Sequence, residues 1–203
     1  MIYFKKKVLY CFIAHQKTHK NVLKKINNLI YPAICVVGGS NNYFDGKTLY
    51  VDSNDNYDGL PEKVFKALIE ITKIDELNNF SHICKLDEDM EIKRLFPQQA
   101  LRNINYGGNV QYSDGDRFWG MDKFSTNSKF SNNPYEGPFV PWCRGGYGYL
   151  ISRKAINQIK KITVNFYNEP YEDLLIAKLL HKKNIYPKKI DNLDKYIYSR
   201  NHQ

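Results

Sequence analysis

The chain has 203 residues, 42% of them hydrophobic and 14% aromatic, enough apolar material for a substantial core, which excludes a disordered polymer. No run approaches the roughly 18–20 apolar residues of a membrane span, and the apolar part of the N-terminal "MIYFKKKVLYCFIAHQK" is short and has no small-residue cleavage site, which argues against a secretory leader. The formal net charge of +9 permits an anionic partner, but the lysines are scattered in pairs such as Lys24 and Lys25, with no basic helix face interleaved with aromatics, so most of this charge reads as solvated surface.

In chain order, Val8 to Ala14 is the first expected strand, a continuous apolar run. His19 to Ile30 follows as a helix with Val22, Ile26 and Leu29 on one face. Ala33 to Val37 and Thr48 to Val51 are the next strands. Pro61 to about Lys73 is a helix whose Val64, Leu68 and Ile71 face inward, with Pro61 suited to the first turn. His82 to Leu86 and Gly148 to Ser152 are further strands. Helices are expected over Arg153 to Lys161, capped by Ser152, and Pro170 to about Lys183. The absence of repeats and linkers points to one unit over residues 1–203. The order of elements predicts an α/β sandwich with a mainly parallel central sheet. Cys11, Cys35, Cys84 and Cys143 are widely spaced without a CxxC pair and read as reduced core residues of a cytoplasmic protein, with neither a disulfide framework nor a structural zinc.

Between about Asn103 and Cys143 the chain is rich in Gly, Asn, Ser, Pro and aromatics and reads as a long irregular segment. Phe118, Trp119, Tyr135 and Trp142 within it are suited either to stack on a ligand or to pin the segment down.

Four constellations could carry chemistry. In "FSHICKLDEDMEI" an apolar strand runs into Asp87, Glu88 and Asp89. If the chain stays extended, the two-residue period sends Asp87 and Asp89 to one side and Glu88 to the other. Two hard oxygen ligands would then converge as Mg2+ or Mn2+ requires, although acids often flank strands and the stretch by itself favours a solvated acidic turn. In "NEPYEDLLIAKLL", Glu172 and Asp173 open a helix; the helix dipole is reason enough for them, and a general base is the functional reading. In "PWCRGGYGYLIS", Gly145, Gly146 and Gly148 suit a close backbone approach to a ligand or a tight turn. In "HQKTH", His15 and His19 have the spacing of the H-E-x-x-H zinc helix, but no glutamate follows the first histidine, which argues against a metalloprotease.

Taken together and in order, these pieces resemble the metal-dependent GT-A glycosyltransferases, most closely the β-1,3-galactosyltransferase and Fringe-like group, in a minimal form like those of large DNA viruses. The resemblance is carried by "VLYCFIAHQKTHKNVLKKIN", "AICVVGG", "DNYDGLPEK", "CKLDED", "CRGGYGYLIS" and "YEDLLIAKLL", and spans almost the whole chain. It implies a GT-A, Rossmann-like three-layer sandwich and an inverting transfer of a sugar from a uridine diphosphate sugar donor to a hydroxyl of a glycan or glycoconjugate acceptor. It implies Mn2+ or Mg2+ at Asp87 and Asp89, with the late His202 as a further ligand. Asp173 would be the general base, with Glu172 beside it. Ile13, Ala14, His15, Asp55, Tyr57, Lys63, Asp87 and Glu88 would lie along the nucleotide, and Gly145 and Gly146 against the donor sugar or its phosphates. Gly59 and Pro61 depart from the family's Asn and Thr, and the sequence is expected to work without a Golgi-type anchor or any transmembrane segment. The resemblance to viral forms places such an enzyme in the cytoplasm, there of an infected host cell. A retaining or hydrolytic reaction, a catalytically inactive sugar-nucleotide-binding domain, and a basic nucleic-acid-binding module are the competing readings; the last predicts steeply salt-dependent affinity for nucleic acid, and no specific nucleic-acid partner is expected.

Overall fold

The computed structural model describes residues 7–199. Its elements in order are β1 (Val8–Ile13), α1 (His19–Asn27), β2 (Ala33–Gly39), β3 (Tyr43–Phe44), β4 (Thr48–Asp52) and α2 (Leu60–Ile71). Then come β5 (His82–Asp87), β6 (Met90–Ile92), α3 (Gln98–Arg102), β7 (Tyr106–Gly108), β8 (Val110–Gln111), β9 (Trp142–Cys143) and β10 (Tyr149–Ser152). The chain finishes with α4 (Arg153–Ile159), α5 (Glu172–His181), β11 (Lys188–Lys189) and β12 (Ile197–Ser199).

Eight strands form one sheet in the order β11-β7-β10-β5-β1-β2-β4-β3. β1, β2, β4 and β5 run parallel to one another, as do β7 and β11, whereas β10 and β3 run antiparallel to their neighbours. This is a Rossmann-like α/β sandwich with a mainly parallel central sheet, as the pattern of elements predicts.

The central strands are apolar on both faces because helices cover both. In β1, Leu9, Cys11 and Ile13 pack toward α2, α4 and α5, while Val8, Tyr10 and Phe12 pack toward α1 and α3. In α2 the stripe of Val64, Leu68 and Ile71 is fully buried, each side chain contributing about 1.5–3 kcal/mol of hydrophobic stabilisation. Ser152 caps α4 as expected, its Oγ accepting the Ala155 N–H at 3.1 Å. All four cysteines are buried thiols.

Part of the sheet escapes the sequence pattern. β7 lies inside the segment expected to be irregular, and its Tyr-Gly-Gly has little strand propensity of its own. It is a strand because it is wedged between β10 and β11.

The connectivity fixes where a site can form. From β1 the chain adds β2 and β4 on one side, then returns through α2 to place β5 on the other side of β1. Strand order thus reverses between β1 and β5, and ligands of such sheets bind beyond the carboxyl ends of the strands at this point. There Ile13 pairs in register with Asp87.

Candidate functional site

Two clusters of charged side chains flank that switch point, each built on a buried lysine. The first joins the ends of β1 and β2 to α2. Lys63 Nζ, on the inner face of α2, donates to Ala14 O at 2.9 Å and to Asp55 Oδ1 at 2.8 Å. Asp55 also accepts the Gly38 N–H at 2.7 Å and the Gln16 N–H at 2.5 Å, and His15 Nδ1 stands 3.7 Å from its Oδ2. Burial alone would raise the Asp55 carboxyl, but Lys63 and the two amides outweigh it and hold it below its ordinary value. Ile13, Ala14, His15, Asp55 and Lys63 are thus brought together, as a clasp between strand ends whose charges are matched one to one.

The second cluster joins β5, β10 and α5. Lys85 and Asp87 lie two apart on one face of β5, and Lys85 Nζ sits 2.6 Å from Asp87 Oδ1 and 2.6 Å from Glu172 Oε1 at the start of α5. Tyr149, paired across the sheet with Lys85, donates its hydroxyl to Glu172 Oε2 at 3.0 Å. Burial would lower the lysine, but Asp87 and Glu172 outweigh it and hold the ammonium protonated. Burial pushes Glu172 up to about 7 against the pull of Lys85. One lysine here serves two acids, Asp87 and Glu172, so the cluster carries surplus negative charge once Glu172 has lost its proton.

Asp173 stands beside this pair. Its Oδ2 accepts the Gly145 N–H at 2.7 Å and its Oδ1 accepts the Leu174 N–H at 2.8 Å, which fixes the carboxylate. Burial holds it above the ordinary aspartate range, although those amides and Lys85 pull the other way. Gly145 must be glycine because a Cβ there would collide with Glu172 Oε1 and press on Lys85 Nζ.

The acids after β5 differ in detail from the expectation. The strand ends at Asp87, and Glu88 and Asp89 form a turn before β6 instead of continuing extended. The turn still brings Asp87 and Asp89 to one cleft, where Ser199 donates to Asp89 Oδ2 at 2.7 Å. Glu88 accepts from the Thr18 hydroxyl on α1's side, and Lys25 Nζ donates to the Glu88 carbonyl at 2.7 Å. His202 lies outside the described residues. Among those described, no group of three or more His, Cys, Asp or Glu side chains is placed to hold a metal ion. Asp87 and Asp89 supply two hard oxygen donors, a set that fits a Mg2+ or Mn2+ ion drawing its other ligands from water and a substrate phosphate.

Asp87, Asp89, Gly145, Gly146, Asp173 and Tyr57 line one cleft of about 780 Å³, which Ile13, Ala14, His15, Asp55, Lys63 and Glu88 do not line. Arg144 and Lys123 bring positive charge to its wall. The segment after β8 closes the other side and is nailed down at several points. Arg117 Nη1 donates to Tyr135 O at 2.7 Å and Gly137 O at 3.1 Å, and Tyr171 donates its hydroxyl to Arg117 O at 3.2 Å. The four aromatics singled out from sequence divide: Tyr135 and Trp142 are buried anchors, while Phe118 and Trp119 are more than half exposed, with Trp119 in the cleft wall.

Lys85 and Tyr149 were missed from sequence. The signal for Lys85 was present, since a lysine inside the apolar run "HICKLD" at an even spacing from Asp87 must share its face. For Tyr149 no local signal exists, because its role depends on antiparallel register with β5.

The galactosyltransferase family profile matches residues 39–191, about three quarters of the chain. The matched span contains Asp55, Lys63, Lys85, Asp87, Gly145 and Asp173 but neither β1 nor His202. No curated protein matches the chain. Among solved structures, one described as the crystal structure of A197 from STIV superposes with a TM-score of 0.47 at 12% identity, covering 97% of this chain and 95% of that one.

Proposed function

Because the chain belongs to the galactosyltransferase family, we propose that it moves a hexosyl group from a uridine diphosphate sugar to a hydroxyl of a glycan or glycoconjugate, with inversion at the anomeric carbon. In this reading the sandwich is a GT-A domain, and Asp87 and Asp89 hold a divalent cation, Mn2+ or Mg2+. The observation that supports it best is the meeting, in one cleft at the switch point, of a fixed carboxylate, Asp173, with the two carboxylates at the end of β5.

When bound, the cation supplies Lewis-acid charge against the departing diphosphate. The chain's own residues do the rest. Arg144 and Lys123 give the diphosphate a positive wall. Gly145 and Gly146 let the donor sugar approach the backbone, and Lys85 keeps Asp87 and Glu172 in place from beneath. Asp173 accepts the proton of the acceptor hydroxyl as the new carbon–oxygen bond forms and the bond to the diphosphate oxygen breaks with its electron pair. The two backbone N–H groups aim its carboxylate, and burial raises its basicity.

Asp173→Asn tests this assignment. Transfer is expected to fall by about 10²–10⁴-fold with donor affinity unchanged. A variant that keeps wild-type turnover removes Asp173 from the base role, and NMR of the product's anomeric carbon checks inversion.

A further inference from the structure

A second cavity of about 320 Å³ opens beside the cleft, at the α2 entry. The two share Pro170, with Glu169 on one side of it and Tyr171 on the other, and elsewhere neighbouring residues line one and then the other, as Gly59 and Leu60 do, and Phe124 and Lys123. The side cavity is therefore a lateral extension of the cleft from the end that holds Tyr171, Glu172 and Asp173.

Its chemistry is unlike that of the cleft. Phe124, Phe130, Phe166 and Tyr167 supply apolar ring surface, and amides and hydroxyls such as Asn127 and Ser128 alternate with them. Three carboxylates and one ammonium lie in the lining, those of Asp58, Glu62, Glu169 and Lys129. Glu169 pairs with Lys178 at 2.6 Å and Glu62 with Lys66 at 2.9 Å. Lys129, the one lysine in the lining, donates to Asn168 and rests over the Phe130 and Tyr167 rings at 4.8 and 4.5 Å. A phosphate would meet three carboxylates against one ammonium here. A pyranose ring would find apolar surface for its C–H face and amides and hydroxyls for its rim.

We propose that this side cavity is a second acceptor subsite, which holds the sugar next to the one whose hydroxyl faces Asp173. The inference rests on the transferase reading and deepens it: the acceptor is a neutral oligosaccharide of at least two residues. The segment around residue 127 is fixed for this purpose, since Asp58 Oδ2 at the α2 entry accepts the Ser125 N–H at 3.0 Å and Tyr57 packs edge-on against Phe124 at 4.9 Å.

The test uses the full chain with Mn2+ and whichever uridine diphosphate hexose it consumes, reading uridine diphosphate release. Lactose and N-acetyllactosamine are compared with methyl β-galactoside, chitobiose with methyl β-N-acetylglucosaminide, and cellobiose with methyl β-glucoside. For at least one pair, kcat/KM for the disaccharide is expected to exceed that for its monosaccharide by about tenfold or more, the effect of one or two added contacts. In Asn127→Ala/Tyr167→Ala, two side chains at the exposed rim, that ratio should fall to about one. Monosaccharide turnover and acceptor-free release should not change. Ratios near one for every pair in the wild type, or a ratio that survives in the double variant, overturn the subsite. Absence of any donor consumption overturns the transferase reading itself, so the two failures are distinct.

Discussion

The clasp at β1 and the cluster at β5 are built from the same parts, a buried lysine and carboxylates at the carboxyl edge of one sheet, yet they do opposite things. Around Lys63, one ammonium meets one carboxylate, and the carboxylate's other lone pairs are taken by backbone amides. Around Lys85, one ammonium is shared between Asp87 and Glu172, with Asp173 and Asp89 close by in the same cleft. The first arrangement is electrically closed and holds strands together. The second is left short of positive charge, the deficit that a divalent cation and a proton-accepting carboxylate would exploit in the proposed reading. Charge balance at the fold's switch point, more than the presence of acids, separates a structural ion pair from a candidate catalytic one.

Methionine at the two lysines should break the comparison most sharply. Lys85→Met leaves two carboxylates without their cation in a site where Lys85 and Glu172 are nearly inaccessible, and should cost about 3–5 kcal/mol by urea denaturation. Lys63→Met leaves Asp55 with its two amide bonds and should cost less, about 1–3 kcal/mol. Equal losses would mean that the two clusters are not different in kind.

The pH dependence sharpens it further. Burial holds Glu172 near 7 against an ordinary value of 4.5, so across that window the folded chain keeps a proton that the unfolded chain has released. Stability from this group therefore falls as pH rises from about 4.5 to 7. Asp55, held below its ordinary 3.8, contributes the other way: its stability is present above that value and lost as pH falls through the lower native one. Denaturation midpoints across pH should lose their neutral-side slope in Glu172→Gln and their acid-side slope in Asp55→Asn. The smallest effect is expected at Glu88→Gln, which lies outside both clusters and should change stability by less than about 1 kcal/mol.

The order of elements was legible because the inner strands are continuously apolar and α1 and α2 are cleanly periodic. What the sequence hid were short strands such as β7, β11 and β12, of two or three residues each, whose Gly, Lys and Ser residues pair because neighbouring strands present an edge to them. Of the site, Asp87, Asp89, Gly145, Gly146 and Asp173 could be named from motif order and share the cleft. Lys63 is named from the same motif order, but its bonds to Ala14 and Asp55 have no local signal, since the first joins residues 49 apart in sequence. The partnership of Lys85 with Glu172, 87 positions apart, likewise exists only once α5 docks against β5, so no local pattern announces it.

In the proposed reading the negative surplus at β5 would serve a cation that in turn holds a nucleoside diphosphate sugar. Thermal unfolding of the wild type and of Asp87→Asn, each with uridine diphosphate galactose and with and without Mn2+, tests it most directly. At about 100 times the dissociation constant a ligand that binds only the folded chain adds ~2.7 kcal/mol, which raises the midpoint of a chain this size by about 5–10 °C. That rise is expected only when sugar nucleotide and Mn2+ are both present and only in the wild type. An equal rise without the metal, or in Asp87→Asn, would contradict the reading.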